Sequence, residues 1–600
     1  MNKYGINFWG DDNFIIENGV VKVNHGNKPS LVELTTKIRE DGHKGPLLLR
    51  FPHITQKQID KLFNTFEKSI KENNYNGTFN AVFPLKVNQF PNFLFPLIEN
   101  GEKYNYGLEA GSKAELILAM AYNNEDAPIT VNGFKDKEMI ILGFIAKAMG
   151  YNITLTIEGL TELETIIEVF EEYQMEAPNI GLRVRLHSGG SGLWAKSGGI
   201  ESKFGLSSTE ILEAFGMLKD VNIVDKLTMI HFHIGSAMNT IAPLKKALRE
   251  SGHIYAELKQ MGATHLENIN IGGGLAIEYS QFERTRFYSL EEFSNDVVFT
   301  MNYIAKQKGV KEPNIYTESG RFIAAPTTVL ITPVLELFSS EYDKDNLQLK
   351  ETNPPLIKEL NDLYNEMKED NALEFMHDAL DHLESVLTLF DLGYIDLQDR
   401  SNAEILTHHI TKKAIQLLSI KDYTELKRIH EKAQEKYLLN FSIFQSLPDF
   451  WGIGQEFPVM PITHLNQKPT RSASLWDITC DSDGEIEFDS KKPLYLHDVD
   501  LEKEEYFLAF FLVGAYQDIL GMRHNLFSHP TEADVVFKDN KAQIKNLLAS
   551  QKIVDILEDI DYDIIDLKSR LKSKLHKQTK IYKMLDKFIN DTTYLKTTKS

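Results

Sequence analysis

Lys86 closes the apolar run Ala81, Val82, Phe83, Pro84, Leu85 within the stretch AVFPLKVNQF. If that run is a buried strand, its ammonium emerges where a parallel sheet opens onto a ligand, although a lone lysine more often reaches solvent. INIGGGL sets Gly272, Gly273 and Gly274 behind a β-like run. Glycines there bare backbone N–H groups that suit a phosphate, or simply make a loop. HFHIGS places His233 and Ser236 at the end of the preceding run, the ring being a stacking surface or a satisfied core histidine. YTESGR puts Glu318 ahead of Gly320 and Arg321. A carboxylate so placed is a general base, a metal ligand or the partner of a protonated ring nitrogen. Lysine, glycine loop, ring and carboxylate together ask for one ligand with an aldehyde, a phosphate, a flat ring and a basic nitrogen. Pyridoxal 5′-phosphate has all four.

The elements that must position these groups alternate between short β-like and helical patterns over residues 79–320. Eight strand-like runs stand out: FNAVFPLKV, YNYGLE, PITVNG, ITLTIE, IGLRVRL, LTMIHFHI, NINIGG and NIYTESG. Amphipathic helical stretches such as SKAELILAMAYNN and KEMIILGFIAKAMG separate them. Eight β/α units of this length predict a TIM barrel, with a doubly wound sheet as the alternative. Lys86, Glu109, Arg185, His233, Gly272 to Gly274 and Glu318 all fall at or just past strand ends, which a barrel gathers at one mouth.

Bulk properties narrow the class. A chain of 600 residues exceeds one ordinary core, so several domains are expected. The formal charge of −21 would repel a phosphate backbone, which argues against nucleic acid and favours a small, cationic ligand. No run of 18 apolar residues and no basic-then-apolar leader is visible, so neither membrane nor secretion is expected. Cys480 is the one cysteine, which rules out an intramolecular disulfide and fits a reducing cytoplasm.

Beyond residue 330 the pattern changes. Leu373, Met376, Leu380, Leu383, Leu387 and Phe390 step by 3 and 4, which predicts a helical insert over 346–449. Short β-like runs return from FPVMPITHLN to LYLHDVD, giving an all-β domain over 326–345 and 450–540. Its first strands are expected from residues 1–50, through GINFWGDDNFIIENGVVKVN, and from TTVLITPVLEL. The barrel would then span 51–325, and residues 541–600 read as a charged helical extension.

FPLKVNQ, GLEAGSKAEL, HFHIGS, INIGGGL, TESGR, TCDSDG and GAYQDILG resemble the signatures of the fold-type III pyridoxal-phosphate decarboxylases. Their order and spacing are similar to the biosynthetic arginine decarboxylase branch, over nearly the whole chain. The resemblance implies a barrel followed by a β-sandwich-like domain, with active sites shared across a homodimer and a homotetramer left open. It implies that Lys86 carries the cofactor, Glu318 protonates its ring nitrogen, His233 stacks on the ring, and Glu109 and Arg185 orient the site. Ser236, Gly272, Gly273, Gly274, Gly320, Arg321 and Tyr516 would bind or flank the phosphate. Cys480 would arrive from the partner subunit as a proton donor, with Asp481 or Asp483 taking the guanidinium of L-arginine. Magnesium is implied by the resemblance alone, with no site readable. The implied reaction makes agmatine and CO2 for polyamine synthesis. Ornithine, lysine or diaminopimelate as substrate, or an inactive regulatory relative, remain alternatives.

Overall fold

The computed structural model describes residues 3–187, 203–236, 238–338, 342, 344–418, 435–488, 492–575 and 578–596. Two compact units are present. The first comprises Met1–Pro333, Phe441–Asn466 and Phe507–Ser600, and the second Val334–Asn440 and Gln467–Tyr506.

The centre of the first unit is a closed barrel of eight parallel strands. In chain order they are Phe79–Pro84, Gly107–Ala110, Ile129–Val131, Ile153–Ile157, Asn179–Arg183, Leu227–His231, Asn268–Asn270 and Asn314–Thr317. These coincide with the eight runs read from the sequence, and closure excludes the doubly wound alternative. Closure explains the continuous apolar runs: three of the strands are buried along their whole length, side chains facing either the barrel core or the helical jacket. Several jacket helices start on a side chain that accepts an N-terminal backbone N–H. Ser112 caps Lys113–Tyr122, Asp136 caps Lys137–Ala148, and Ser207 closes a capping box on Ser208–Asp220.

Beside the barrel, this unit contains a sheet organised around Leu47–Arg50. That strand runs antiparallel to the first half of Thr328–Phe338 and parallel to Thr531–Lys538. Two of the sequence expectations are corrected here. The N-terminal strands Phe14–Glu17 and Val20–Val23 form a two-stranded sheet of their own, across the left-handed Asn18 and Gly19, and the strand from residues 1–50 that enters the larger sheet is Leu47–Arg50. The segment after 540 begins as strand Lys541–Leu548, which folds back on Thr531–Lys538 through Asp539 and Asn540, both at positive φ. This is a two-residue turn with left-handed central residues. Helices follow only from Ile553.

Arg50 is fully buried in this sheet and bridges two carboxylates, Nη2 to Asp518 Oδ2 at 2.7 Å and Nη1 to Glu532 Oε2 at 2.6 Å.

The second unit takes the remainder of Thr328–Phe338, from Val334, against Glu435–Leu439, which runs parallel to Arg471–Trp476. Glu485–Ile486 and Leu494–Leu496 complete it. It also carries the helices Pro355–Glu366, Ala372–Asp391 and Leu397–Leu417. Their shared core includes Ile357, Leu360, Met376, Ala379, Val386, Ala403, Leu406 and Ile410. The buried line of the middle helix is therefore Ala372, Met376, Ala379 and Val386, with leucines such as Leu373 and Leu383 only partly covered. Alanines at the seam let helices approach closely where leucines would hold them apart. Part of the expected insert, 419–434, lies outside the described residues.

Removing Arg50 strands two buried carboxylates. Arg50→Ala should cost about 3–5 kcal/mol, whereas the triple change Arg50→Met, Asp518→Leu, Glu532→Leu should restore most of it, since an apolar cluster removes the charges as well as their partner. Thermal unfolding of the two variants against wild type checks this. A single variant as stable as wild type would show that the carboxylates find other partners.

Candidate active site

The C-terminal ends of the barrel strands build one mouth. Its cavity, about 70 Å³, is lined by Lys86, His233, Ser236, Gly273, Gly274, Glu318, Gly320, Arg321 and Tyr516 among others. These are nine of the positions singled out from the sequence.

Lys86 sits in the single turn Leu85–Val87 that ends the first strand. Its neighbourhood is fixed from two sides: Tyr516 N–H donates to Val87 O at 2.8 Å, and Asn88 Nδ2 donates to Gly514 O at 3.1 Å. A Cβ on Gly320 would lie 2.7 Å from Val87 Cγ2 and 2.9 Å from the Pro84 ring, so only glycine lets the Glu318 loop close on the lysine. The Lys86 side chain is 55 % exposed, yet what it faces is the cavity, enclosed by protein on most sides.

Its nearest charge is Glu109, whose Oε2 lies 4.0 Å from Nζ. Glu109 is only 1 % exposed, and neither carboxylate oxygen has a hydrogen bond. Burial pushes its carboxyl up to about 7, opposed by Lys86 and reinforced by Glu318. The same pair acts the other way on the lysine: Glu109 raises the ammonium above its ordinary range against the cost of burial.

Glu318 is held differently. Asn132 Nδ2 donates to its Oε1 at 2.8 Å and Asn270 Nδ2 at 3.4 Å, while its backbone N–H donates to Gly272 O at 2.9 Å. His231, buried, puts Nδ1 3.9 Å from the same oxygen. Burial lowers both His231 and His233 to about 3, so both rings are neutral at physiological pH. Gly273 N–H points at His233 Nδ1 at 3.3 Å, which leaves the ring proton on Nε2.

The glycine loop is shaped by contact. A Cβ on Gly272 would meet Phe232 O at 2.6 Å, and one on Gly274 would meet Gly235 O at 2.7 Å; both residues have positive φ. The loops after the sixth and seventh strands therefore touch backbone to backbone. Arg321 is stacked on the Tyr516 ring at 4.6 Å and donates through Nη1 to Tyr279 Oη at 3.2 Å; its buried Nε has no partner.

Arg185 departs from expectation. It donates to Gly205 O at 2.6 Å and so ties a returning segment to the fifth strand. Arg183, two residues earlier, is buried and paired through Nη1 with both oxygens of Glu158 at 3.0 and 3.1 Å. Side chains alternate along a strand, but position 185 has left the strand, which ends at Arg183. Asn132, Glu158, Arg183, His231 and Asn270 were not singled out from the sequence. Their signal is that each sits in the last residues of a barrel strand or just past its end.

Cys480, Asp481 and Asp483 lie in the second unit, on the turn after Arg471–Trp476. Cys480 is exposed, and Asp477 Oδ1 accepts from Thr479 N–H at 2.9 Å and Oγ1 at 2.7 Å. Asp481 Oδ1 accepts from Asp483 N–H at 3.2 Å. Among the described residues no group of three His, Cys, Asp or Glu is arranged to hold a metal ion.

Comparison with known proteins fits this geometry. Residues 56–325 match the family model described as pyridoxal-dependent decarboxylase, pyridoxal binding domain, and residues 350–434 the arginine decarboxylase helical bundle domain. The biosynthetic arginine decarboxylase of Bacteroides thetaiotaomicron is 38 % identical over 593 residues, covering 96 % of this chain and 94 % of its own. The chain belongs to the biosynthetic arginine decarboxylases. Another member, from Citrifermentans bemidjiense, is 36 % identical across 99 % of this chain and 98 % of its own. The crystal structure of the biosynthetic arginine decarboxylase SpeA from Campylobacter jejuni matches with a TM-score of 0.93 at 57 % identity, covering all of both chains. The fold extends further: a diaminopimelate decarboxylase from M. jannaschii, at 18 % identity, aligns with a TM-score of 0.63 over 93 % of this chain and 100 % of that one. Family membership bears out the resemblance on which the sequence reading relied.

The state of Glu109 predicts a pH signature for the cofactor-free enzyme. Folding raises this carboxyl from 4.5 to about 7, so between those values the folded chain binds more protons than the unfolded one. Stability must then fall as pH rises through that window, while Lys86 titrates far above it. Glu109→Gln removes this contribution. Its melting temperature should gain on wild type steadily from pH 4.5 to 7. Parallel curves would mean that Glu109 is ionised throughout.

Proposed function

We propose that the chain decarboxylates L-arginine to agmatine and CO2 with pyridoxal 5′-phosphate, at sites shared between two copies of the chain. The observation that carries this reading is the mouth itself: a lysine and a hydrogen-bonded carboxylate face one glycine-walled cavity with an arginine beside it, in a chain of this family. Arginine as substrate follows from the full-length likeness to relatives named for it, whereas the diaminopimelate enzymes share only the fold.

The residues present fit the cofactor. Gly274, Ser236 and the unpartnered Nε of Arg321 line the cavity and offer donors for a phosphate. Glu318, supported by two amides, would hold the proton of a ring nitrogen, and the neutral His233 would lie against the ring. When bound, the cofactor supplies an electron sink for the carbanion that CO2 leaves behind.

The protein's own work concerns protons. Lys86 acts as a nucleophile only when neutral, and Glu109, 4.0 Å away, holds its ammonium charged in the ligand-free site. Glu318 is held in place by the donors from Asn132 and Asn270. Arg183, neutralised by Glu158, helps keep the histidines uncharged. Cys480 of a second copy would return a proton to the product carbon, with Asp481 or Asp483 accepting the guanidinium. We place the reaction in the cytoplasm, at the start of polyamine synthesis. Among the described residues no helix is long and apolar enough to cross a membrane.

Purified enzyme should release CO2 from arginine at least a hundredfold faster than from ornithine, lysine or diaminopimelate, because a bidentate guanidinium pair is worth a few kcal/mol over a lone ammonium. Borohydride should bleach its visible absorbance and label Lys86, and Lys86→Ala should lose the label while keeping the fold. Labelling of another lysine, or preference for another substrate, would overturn the assignment.

The shared site has its own test. Lys86→Ala and Cys480→Ala homodimers should each be nearly inactive. Mixed in equal amounts and allowed to exchange, half the dimers become hybrids with one intact site, so activity should recover to roughly a quarter of wild type. No recovery, with exchange shown by a tag on one partner, would place both residues in one chain or remove Cys480 from the site.

A further inference from the structure

From the glycine turn the chain runs through residues 275–289 before the helix Leu290–Lys308 begins, and this stretch has no helix or strand of its own. Such a segment needs another source of order. Glu278, buried, supplies it. Its Oε1 accepts from Ser280 N–H at 3.1 Å and Thr285 Oγ1 at 2.6 Å; its Oε2 accepts from Thr285 N–H at 2.8 Å and Arg286 N–H at 3.1 Å. One carboxylate thus uses both oxygens twice to fold the loop around itself. The two ends are pinned as well: Arg286 Nη1 donates to Ala276 O at 3.1 Å, and Ala276 N–H to Tyr288 Oη at 3.1 Å.

The next residue is Tyr279. It is buried, sits edge-on to Phe457 with ring centroids 5.5 Å apart, and offers its Oη to Arg321 Nη1. Arg321 has few other anchors: the face of Tyr516, and Asp449 Oδ2 at the longer distance of 3.6 Å. Leu275, at the start of the same loop, lines the cavity. Nothing else in the loop reaches the mouth through so short a chain of contacts.

We infer that Glu278 is a positioning residue for the anion-binding end of the cavity: by folding the 275–289 loop it presents Tyr279, which aims the Arg321 guanidinium at the cofactor's phosphate. The inference rests on the reading of the cavity as a pyridoxal-phosphate site, and deepens it. The effect is specific to one end of the ligand. A carboxylate that merely kept the loop folded would affect every ligand of the mouth alike, whereas one acting through Arg321 matters only when the ligand carries an anion.

The test uses the full-length chain freed of cofactor, with pyridoxal 5′-phosphate, pyridoxal and inorganic phosphate as probes. Glu278→Gln keeps the shape and loses the acceptors at one oxygen; Tyr279→Phe leaves the loop folded and removes only the hydroxyl at Arg321. Both should weaken pyridoxal 5′-phosphate, titrated by its visible absorbance, about tenfold, the scale of one or two charge-linked hydrogen bonds. Both should lose most of the rise in melting temperature that inorganic phosphate gives the wild type. Pyridoxal, which has no phosphate, should bind all three proteins within about twofold. Equal weakening of pyridoxal and its phosphate would overturn the inference, as would variants that bind pyridoxal 5′-phosphate like wild type. If Glu278→Gln does not fold, Tyr279→Phe decides the same question with the same readouts. A wild type that takes up neither pyridoxal 5′-phosphate nor phosphate would overturn the reading of the cavity itself, a result distinct from either of those.

Discussion

One lysine and two carboxylates share the barrel mouth, and the arrangement around them follows from the cost of holding those charges out of water. Glu109 and Glu318 both influence Lys86, so the three together carry one negative charge more than they can cancel. At the low effective dielectric of a barrel end such an imbalance is expensive unless each charge has a partner or a proton. The two carboxylates resolve it in different ways. Glu318 takes side-chain donors from Asn132 and Asn270, while burial pushes Glu109 toward its neutral form. Two acids of the same chemistry are thereby given different surroundings at one mouth.

The rest of the mouth keeps that division intact. Histidines at the end of the sixth strand are neutral because they are buried, so they add no charge next to Glu318. Arg183 would upset the balance if it were alone, but Glu158 cancels it in place. Steric constraint supplies the remaining precision. The close approaches at Gly272, Gly274 and Gly320 draw three loops together until backbone meets backbone, and no longer side chain fits at those contacts. Charge separation at the ångström scale needs this rigidity, since a loop free to move by one ångström would let the lysine choose between its two carboxylates.

The barrel was legible because parallel strands covered on both faces must be written as continuous apolar runs, and because Ser112, Asp136 and Ser207 mark helix starts. Those strands also carried most of the site, since closure brings strand ends together whatever the loops do. What escaped has definite physical causes. Leu47–Arg50 is four residues long and ends in a charged side chain, so composition hides a central strand; its arginine is tolerated only because Asp518 and Glu532 meet it hundreds of residues later. Lys541–Leu548 carries two lysines and mostly uncovered side chains, and so lacks the alternation of a half-buried strand. The run IGLRVRL reads as strand through Leu186, whereas the strand ends at Arg183, so Arg185 lies on the connection beyond it. Asn132 and Asn270 have no sequence signature, because an amide gains its meaning only from the carboxylate that the fold sets opposite it.

The thiol stands apart from this logic. Everything in the first unit serves to hold a ligand and to control where protons rest before bond cleavage, whereas Cys480 sits in the second unit on a turn built by Asp477 and Gly484, whose added Cβ would fall 2.1 Å from Asp477 Oδ1. A group that protonates a carbanion has to be acidic enough to donate and yet kept from the lysine and carboxylates that would take its proton early. Under the proposed function Cys480 would be that donor. Sharing sites between two copies would keep it apart, because the donor then arrives only when the assembly is complete.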